Sequence, residues 1–171
     1  MPAPTNIPNV SDISALGKDF CRTVPPEWQD RNGHVNVQYY QTLYEDGGWQ
    51  ILENMGVNEQ YLAQFGCSFF DLEHHLRYFA EIHVGETVSV YNRMLGRDNK
   101  LFHGMSFIVN DTHDTLACTL EYLSVCIDLD TRRSMIFPED MAMRFDKTLT
   151  IHNALTWSSP KCGAMQTKPL S

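Results

Sequence analysis

Between Val37 and Met55 apolar residues recur at steps of three and four, and this period constrains the fold more than any other feature of the chain. Val37, Tyr40, Tyr44, Gly48, Ile51 and Met55 lie on one stripe, which Leu43, Gly47 and Leu52 widen. Asn36 is placed to cap the helix and Gly56 to stop it. The mid-helix pair Gly47-Gly48 costs about 1 kcal/mol per residue relative to alanine. Close approach of the helix to another surface would justify that cost, and a sheet wrapped around it would demand such an approach. No other stretch carries so long a helical period.

The remainder reads mainly as strand. Phe20–Val24 forms a first short strand, stopped by Pro25-Pro26. After the helix, Val57–Gly66 reads as a second short helical turn carried by Glu59–Phe65. From Phe69 to Val84 the residues alternate: Phe70, Leu72, His74, Leu76, Tyr78, Ala80 and Ile82 fall on one face, and Asp71, Glu73, His75, Arg77 and Glu81 on the other. Turns at Gly85-Glu86, Gly96–Lys100 and Asn110–Asp114 separate strands over Thr87–Leu95, Leu101–Val109 and Thr115–Asp128. One long helix followed by consecutive antiparallel strands is an α+β pattern, a meander curling over a single central helix. Residues 1–17 read as a mobile or draped arm, 18–147 as the domain with a short helix at Met141–Phe145, and 148–171 as a tail.

The 171 residues suffice for one core without staples. A net charge of −8 without a basic run argues against nucleic acid or an anionic membrane as partner. No apolar run approaches the ~18 residues of a membrane helix, and Met1–Asn6 lacks a basic and apolar leader, so a cytoplasmic location is expected. Five cysteines, odd in number and without CxxC spacing, fit reduced thiols.

The chemistry concentrates just before the long helix. In Trp28-Gln29-Asp30-Arg31-Asn32-Gly33-His34-Val35-Asn36 a carboxylate precedes a glycine-containing turn that delivers the backbone into the helix. The first amides of a helix lack intrahelical partners and carry the positive end of its dipole, so they can hold an oxyanion beside Asp30.

Asp30-x-x-Gly33-His34-Val35-Asn36-x-x-x-Tyr40 resembles the signature of the hotdog-fold acyl-CoA thioesterases of the 4-hydroxybenzoyl-CoA thioesterase-like family. Tyr78–Glu86 resembles that family's strand ending in a Gly-acid turn, and Cys126-Ile127-Asp128 with Arg132 and Pro138 its closing segment. The likeness covers roughly residues 20–140. It implies an acyl-CoA substrate, no separate cofactor, and homodimers or homotetramers whose sheets join edge to edge and whose active sites are shared. Asp30 matches the catalytic carboxylate, either nucleophile or general base for water. Val37 matches the helix-start position whose amide points at the thioester oxygen. The family usually has asparagine there, but a main-chain donor survives the change. A sister group uses a helix-borne acid, for which Asp46 and Glu45 are the candidates.

His34 and Asn36 complete the candidate catalytic set, and both also suit structural roles at the turn and helix cap. Trp28, Tyr40, Asp46 and Tyr78 are candidate substrate contacts, and Arg97, Lys100, Arg132 and Arg133 could hold CoA phosphates. No metal is expected, because adjacent His74 and His75 point to opposite faces of a strand. A thiolate leaves readily, so the absence of a GxSxG nucleophile is no objection to thioester hydrolysis. Two rivals share the fold: a hydratase or dehydratase using Asp30 and His34, and a non-catalytic acyl-CoA-binding module. For the acyl group, Trp28, Tyr39, Tyr40, Trp49, Phe69, Phe70 and Tyr78 offer faces that attract a quaternary ammonium. The chain is also similar to the betainyl-CoA thioesterases of carnitine breakdown. A short aliphatic or aromatic acyl group fits the same residues.

Overall fold

The structure, a computed structural model, describes residues 7–167. In chain order it contains α1 (Val10–Ser14), β1 (Phe20–Thr23), a 3-10 turn (Pro26–Trp28), α2 (Gln38–Asn54), α3 (Glu59–Phe65), β2 (Cys67–Tyr78), β3 (Thr87–Arg97), β4 (Leu101–Asn110), β5 (Thr115–Asp128) and α4 (Glu139–Asn153). The strands form one antiparallel sheet in the order β1-β3-β4-β5-β2, curled around α2. Among the described residues no helix is long and apolar enough to cross a membrane.

Helix α2 buries Tyr40, Leu43, Tyr44, Gly47, Ile51 and Leu52 against the sheet. The close approach falls on Gly47: a Cβ there would lie 2.5 Å from Val90 Cγ1, and Asn92 Nδ2 donates to the Gly47 carbonyl at 3.0 Å. Gly48 faces more open space, where a Cβ would first meet Tyr44 at 4.0 Å. The helix ends on Gly56 at φ +77°, with Val57 N–H donating to Leu52 O and Gly56 N–H to Glu53 O, both at 2.8 Å. These two bonds satisfy carbonyls of the last turn and stop the helix where the sequence predicts.

Strand β2 departs from strict alternation. Asp71 pairs with Ser124 and Glu73 with Leu123, so Leu72 is an extra residue, a β-bulge. Phe69, Asp71, His74 and Leu76 therefore lie toward α2, whereas Phe70 and Leu72 are 60% and 50% exposed. The face assignment expected for Phe70, Asp71 and Leu72 is thus reversed. The strand also ends at Tyr78 rather than Val84. Beyond it the backbone turns under the Asp30 loop, where Val35 N–H donates to Ile82 O at 2.8 Å.

The expected arm and tail are more ordered than composition suggests. Residues 1–6 of the arm and 168–171 of the tail lie outside the described residues. Asn9 caps α1, and Ile13 is fully buried with Tyr91, Met105 and Phe107 on the sheet face away from α2. Helix α4 runs through to Asn153, so the short helix expected at Met141–Phe145 is only its first part and residue 147 falls inside it. Its buried residues, Met141, Phe145 and His152, are too sparse to advertise a helical period. The chain then crosses the far face, stacking Trp157 edge-on against Phe107 at 5.5 Å. Arg93 lies over the Trp157 ring at 4.2 Å and donates to the carbonyls of Trp157 and His152.

Candidate active site

The loop before α2 is closed by its own backbone. Gln29 bridges Val35, Asp30 N–H donates to His34 O at 2.9 Å, and Asn36 N–H donates to Trp28 O at 2.9 Å. Gly33 sits at φ +90°, a conformation that excludes most side chains. Its carbonyl accepts from Gln29 Nε2 at 3.1 Å and lies 3.1 Å from His83 Nδ1. His83, a hydrogen-bonding partner of the turn, was not singled out from sequence, and its only signal was its place in the Gly-acid segment.

Asp30 accepts from the Asn32 amide at Oδ1, 2.7 Å, while Oδ2 lies 3.5 Å from His34 Nδ1. One carboxylate oxygen is thus occupied by the turn, the other faces His34, and the side chain remains 18% exposed.

The start of α2 offers a more selective donor set than four equivalent amides. Asn36 Oδ1 takes the Gln38 amide at 3.1 Å, Asn36 O takes that of Tyr39, and Val37 O takes that of Tyr40. Among the described residues the Val37 amide has no partner in the chain. It lies at the positive end of the helix dipole beneath a side chain that is 60% exposed. Asn36 acts as the expected side-chain cap, although the helical backbone already begins at Val37, φ −54°.

The other candidates separate. Trp28 is buried and stacked on Tyr39 at 4.7 Å, and Tyr40 is buried against Tyr78 at 5.0 Å, with Tyr78 half-exposed. Asp46 lies 3.8 Å from Arg22 and does not line the open space beside α2, whereas Glu45 is the helix-borne acid that faces it. Arg97, expected for CoA phosphates, is instead clamped by Asp146 through bonds of 2.7 and 2.6 Å.

That open space is a cavity of about 340 Å³ between the C-terminal half of α2 and strands β2, β4 and β5. Tyr44, Trp49, Phe69, Phe102 and Tyr122 supply aromatic walls. At its polar end Asp71 accepts from Tyr44 Oη at 2.8 Å, from His74 Nε2 at 2.9 Å and from Ser124 Oγ. Burial raises the Asp71 pKa, but the hydrogen bonds from His74, Ser124 and Tyr44 outweigh it and hold the carboxyl below its ordinary range. Burial, followed by the neighbouring Asp71 charge, raises Glu45. Neither Asp30 nor the α2 N-terminus lines this cavity within one chain. Asp71 was missed because alternation assigned it to solvent. The adjacent aromatics Phe69-Phe70 were the one sign of a broken pattern.

Residues 24–145 match the family model described as the thioesterase-like superfamily. Over 132 residues the chain is 28% identical to a betainyl-CoA thioesterase of Pseudomonas aeruginosa, covering 77% of this chain and 83% of that one. It is 32% identical over 128 residues to an L-carnitine dehydrogenase/betainyl-CoA thioesterase of Ruegeria pomeroyi, covering 73% of this chain but 25% of that longer protein. Among solved structures, a Staphylococcus aureus protein in complex with CoA superposes with a TM-score of 0.76 at 25% identity, covering 88% of this chain and 94% of that one. A 1,4-dihydroxy-2-naphthoyl-CoA thioesterase from Synechocystis superposes at 0.66 with 17% identity, covering 74% and 93%. The chain belongs to the thioesterase-like superfamily and is a hotdog-fold thioester hydrolase.

Proposed function

We propose that the chain hydrolyses a small acyl-CoA, betainyl-CoA being the favoured substrate, with Asp30 and the Val37 amide as its reacting groups. The observation that carries this reading is the loop that joins a partly exposed carboxylate to the Val37 amide, which has no partner among the described residues. Asp30 either attacks the thioester carbonyl, forming an anhydride that water then hydrolyses, or takes a proton from the water that itself attacks the carbonyl, and the developing oxyanion accepts from Val37 N–H. The CoA thiolate then departs without a strong general acid. No cofactor takes part, and water is the second substrate. The betainyl assignment draws on the curated relatives and on the aromatic cavity.

The working unit is a homodimer joined along β2. That strand is an edge with half-exposed Phe70, Leu72 and Tyr78 and, among the described residues, no partner on its outer side. Antiparallel pairing about a twofold axis sets the Cys67 end of one β2 against the Tyr78 end of the other. The Asp30 loop is bonded to Ile82, just beyond Tyr78, so it arrives beside the Phe69–Asp71 end of a second copy, which lines the cavity. Pairing in this way supplies the reacting groups that each cavity lacks. All five thiols are free, which supports a reducing, cytoplasmic setting.

Thiol release from betainyl, short aliphatic, long aliphatic and aromatic acyl-CoAs tests the reading, with wild type and Asp30→Asn run side by side. Hydrolysis of one class that disappears in the variant supports it. Inactivity toward every ester refutes it.

A further inference from the structure

We propose that the cavity between α2 and β2 is a subsite for a quaternary ammonium on the acyl group, and that Asp71 is the residue that selects for that charge. The inference rests on the thioesterase reading and deepens it by naming the recognising group.

The cavity holds two carboxylates, Glu45 and Asp71, against a single histidine, His74, which is bonded to Asp71. Among the described residues no lysine or arginine lines it, and its ionisable members are Glu45, Asp71 and His74. The bulge at Leu72 turns Asp71 inward, and three donors hold it in place. An anionic acyl tail would be repelled there. A neutral one would gain the apolar contacts but nothing from the charge.

The kind of cation follows from how Asp71 is bonded. Oδ2 is already occupied by Tyr44 and His74, and Oδ1 accepts from Ser124. Little acceptor capacity remains for a primary ammonium, which would bury unpaired N–H groups at a cost. A trimethylammonium has no N–H to satisfy. It needs an electric field and polarizable walls, and Asp71 supplies the first while Tyr44, Trp49, Phe69 and Tyr122 supply the second. The volume of about 340 Å³ is ample for such a group and too small for a long acyl chain with its CoA arm.

The test compares kcat/KM for betainyl-CoA and 3,3-dimethylbutyryl-CoA, whose tert-butyl group has the shape of trimethylammonium without its charge. Wild type should prefer the cationic ester, and Asp71→Asn should cut that preference by about tenfold or more while the neutral ester changes by only about twofold. An unchanged preference in folded Asp71→Asn overturns the proposal. So does equal turnover of the two esters by wild type, which leaves the hydrolase reading standing. Should Asp71→Asn fail to fold, Trp49→Leu serves, because Trp49 is 40% exposed and its loss removes one aromatic wall; a preference that survives it overturns the proposal. Titration with tetramethylammonium, followed by NMR at the Trp49 indole, needs no turnover. Saturable shifts that weaken in Asp71→Asn support the subsite even if no acyl-CoA is hydrolysed, and absent shifts overturn it.

Discussion

His74 Nε2 lies 2.9 Å from Asp71 Oδ2, although residues three apart on a regular strand face opposite sides of the sheet. They meet because Leu72 is an unpaired extra residue between the Asp71–Ser124 and Glu73–Leu123 pairs. A single inserted residue thereby converts what reads as a solvent-facing acid into the polar end of an aromatic cavity. The same bulge leaves Leu72 exposed on an edge strand. Leu72→Lys should therefore shift the assembly toward monomer while leaving the secondary structure intact, measured by sedimentation and circular dichroism. A variant that sediments like wild type would move the interface elsewhere.

Asp30→Asn should reduce kcat by about a hundredfold or more with little change in Tm. The turn survives because an asparagine oxygen can still accept from the Asn32 amide. Near-normal turnover would exclude Asp30 and direct attention to Glu45.

The Val37 amide can be deleted without disturbing the helix. Its φ of −54° suits proline, it stands at the helix start, and its N–H serves no group of the chain among the described residues. Val37→Pro should fold normally and lose about 10²–10³ in kcat, whereas Val37→Ala should keep wild-type rates. Equal rates in the two variants would remove this amide from oxyanion binding.

The paired glycines should respond with opposite signs. An added Cβ at Gly47 would lie 2.5 Å from Val90, a stiff β-branched side chain on a strand, so the helix itself must move. Gly47→Ala should cost about 1–3 kcal/mol in urea unfolding, because the overpacking exceeds the propensity gain. Gly48→Ala meets nothing nearer than 4.0 Å and should gain up to about 1 kcal/mol. Equal effects would contradict the close approach of α2 to β3 at Gly47.

His152 makes stability depend on pH. Burial, followed by the Arg93 charge, pushes its pKa down to about 4, and Nδ1 must stay unprotonated to accept the Met94 amide at 2.9 Å. Between about pH 6.5 and the folded value the unfolded chain binds a proton that the folded chain refuses, so stability falls as pH drops through this window. The loss from this group is bounded at about 3 kcal/mol. His152→Gln should flatten the dependence in denaturation curves taken at about pH 7 and about pH 5. An unaltered slope would assign it to other groups.

Much of this molecule was legible in the residues because the signals were local. The apolar period of Val37–Met55 marked α2, the polar turns bounded β3, β4 and β5, and Gly56 stopped the helix through bonds within its own last turn. The spacing of Asp30, Gly33 and Asn36 likewise marked the candidate loop, since a turn and a cap are made by neighbours in sequence. Contacts between distant segments left no such trace. Only the adjacent aromatics Phe69-Phe70 hinted at the bulge at Leu72, and nothing in the order of residues announced that Asp46 would turn to Arg22 while Glu45 faced the cavity, or that Asp146 would clamp Arg97. Helix α4 hid for the same reason: its three buried residues acquire meaning only from the strands and loops they meet. Local propensity thus set the elements and the loop, and packing between distant elements decided which charges face inward and where the cavity lies.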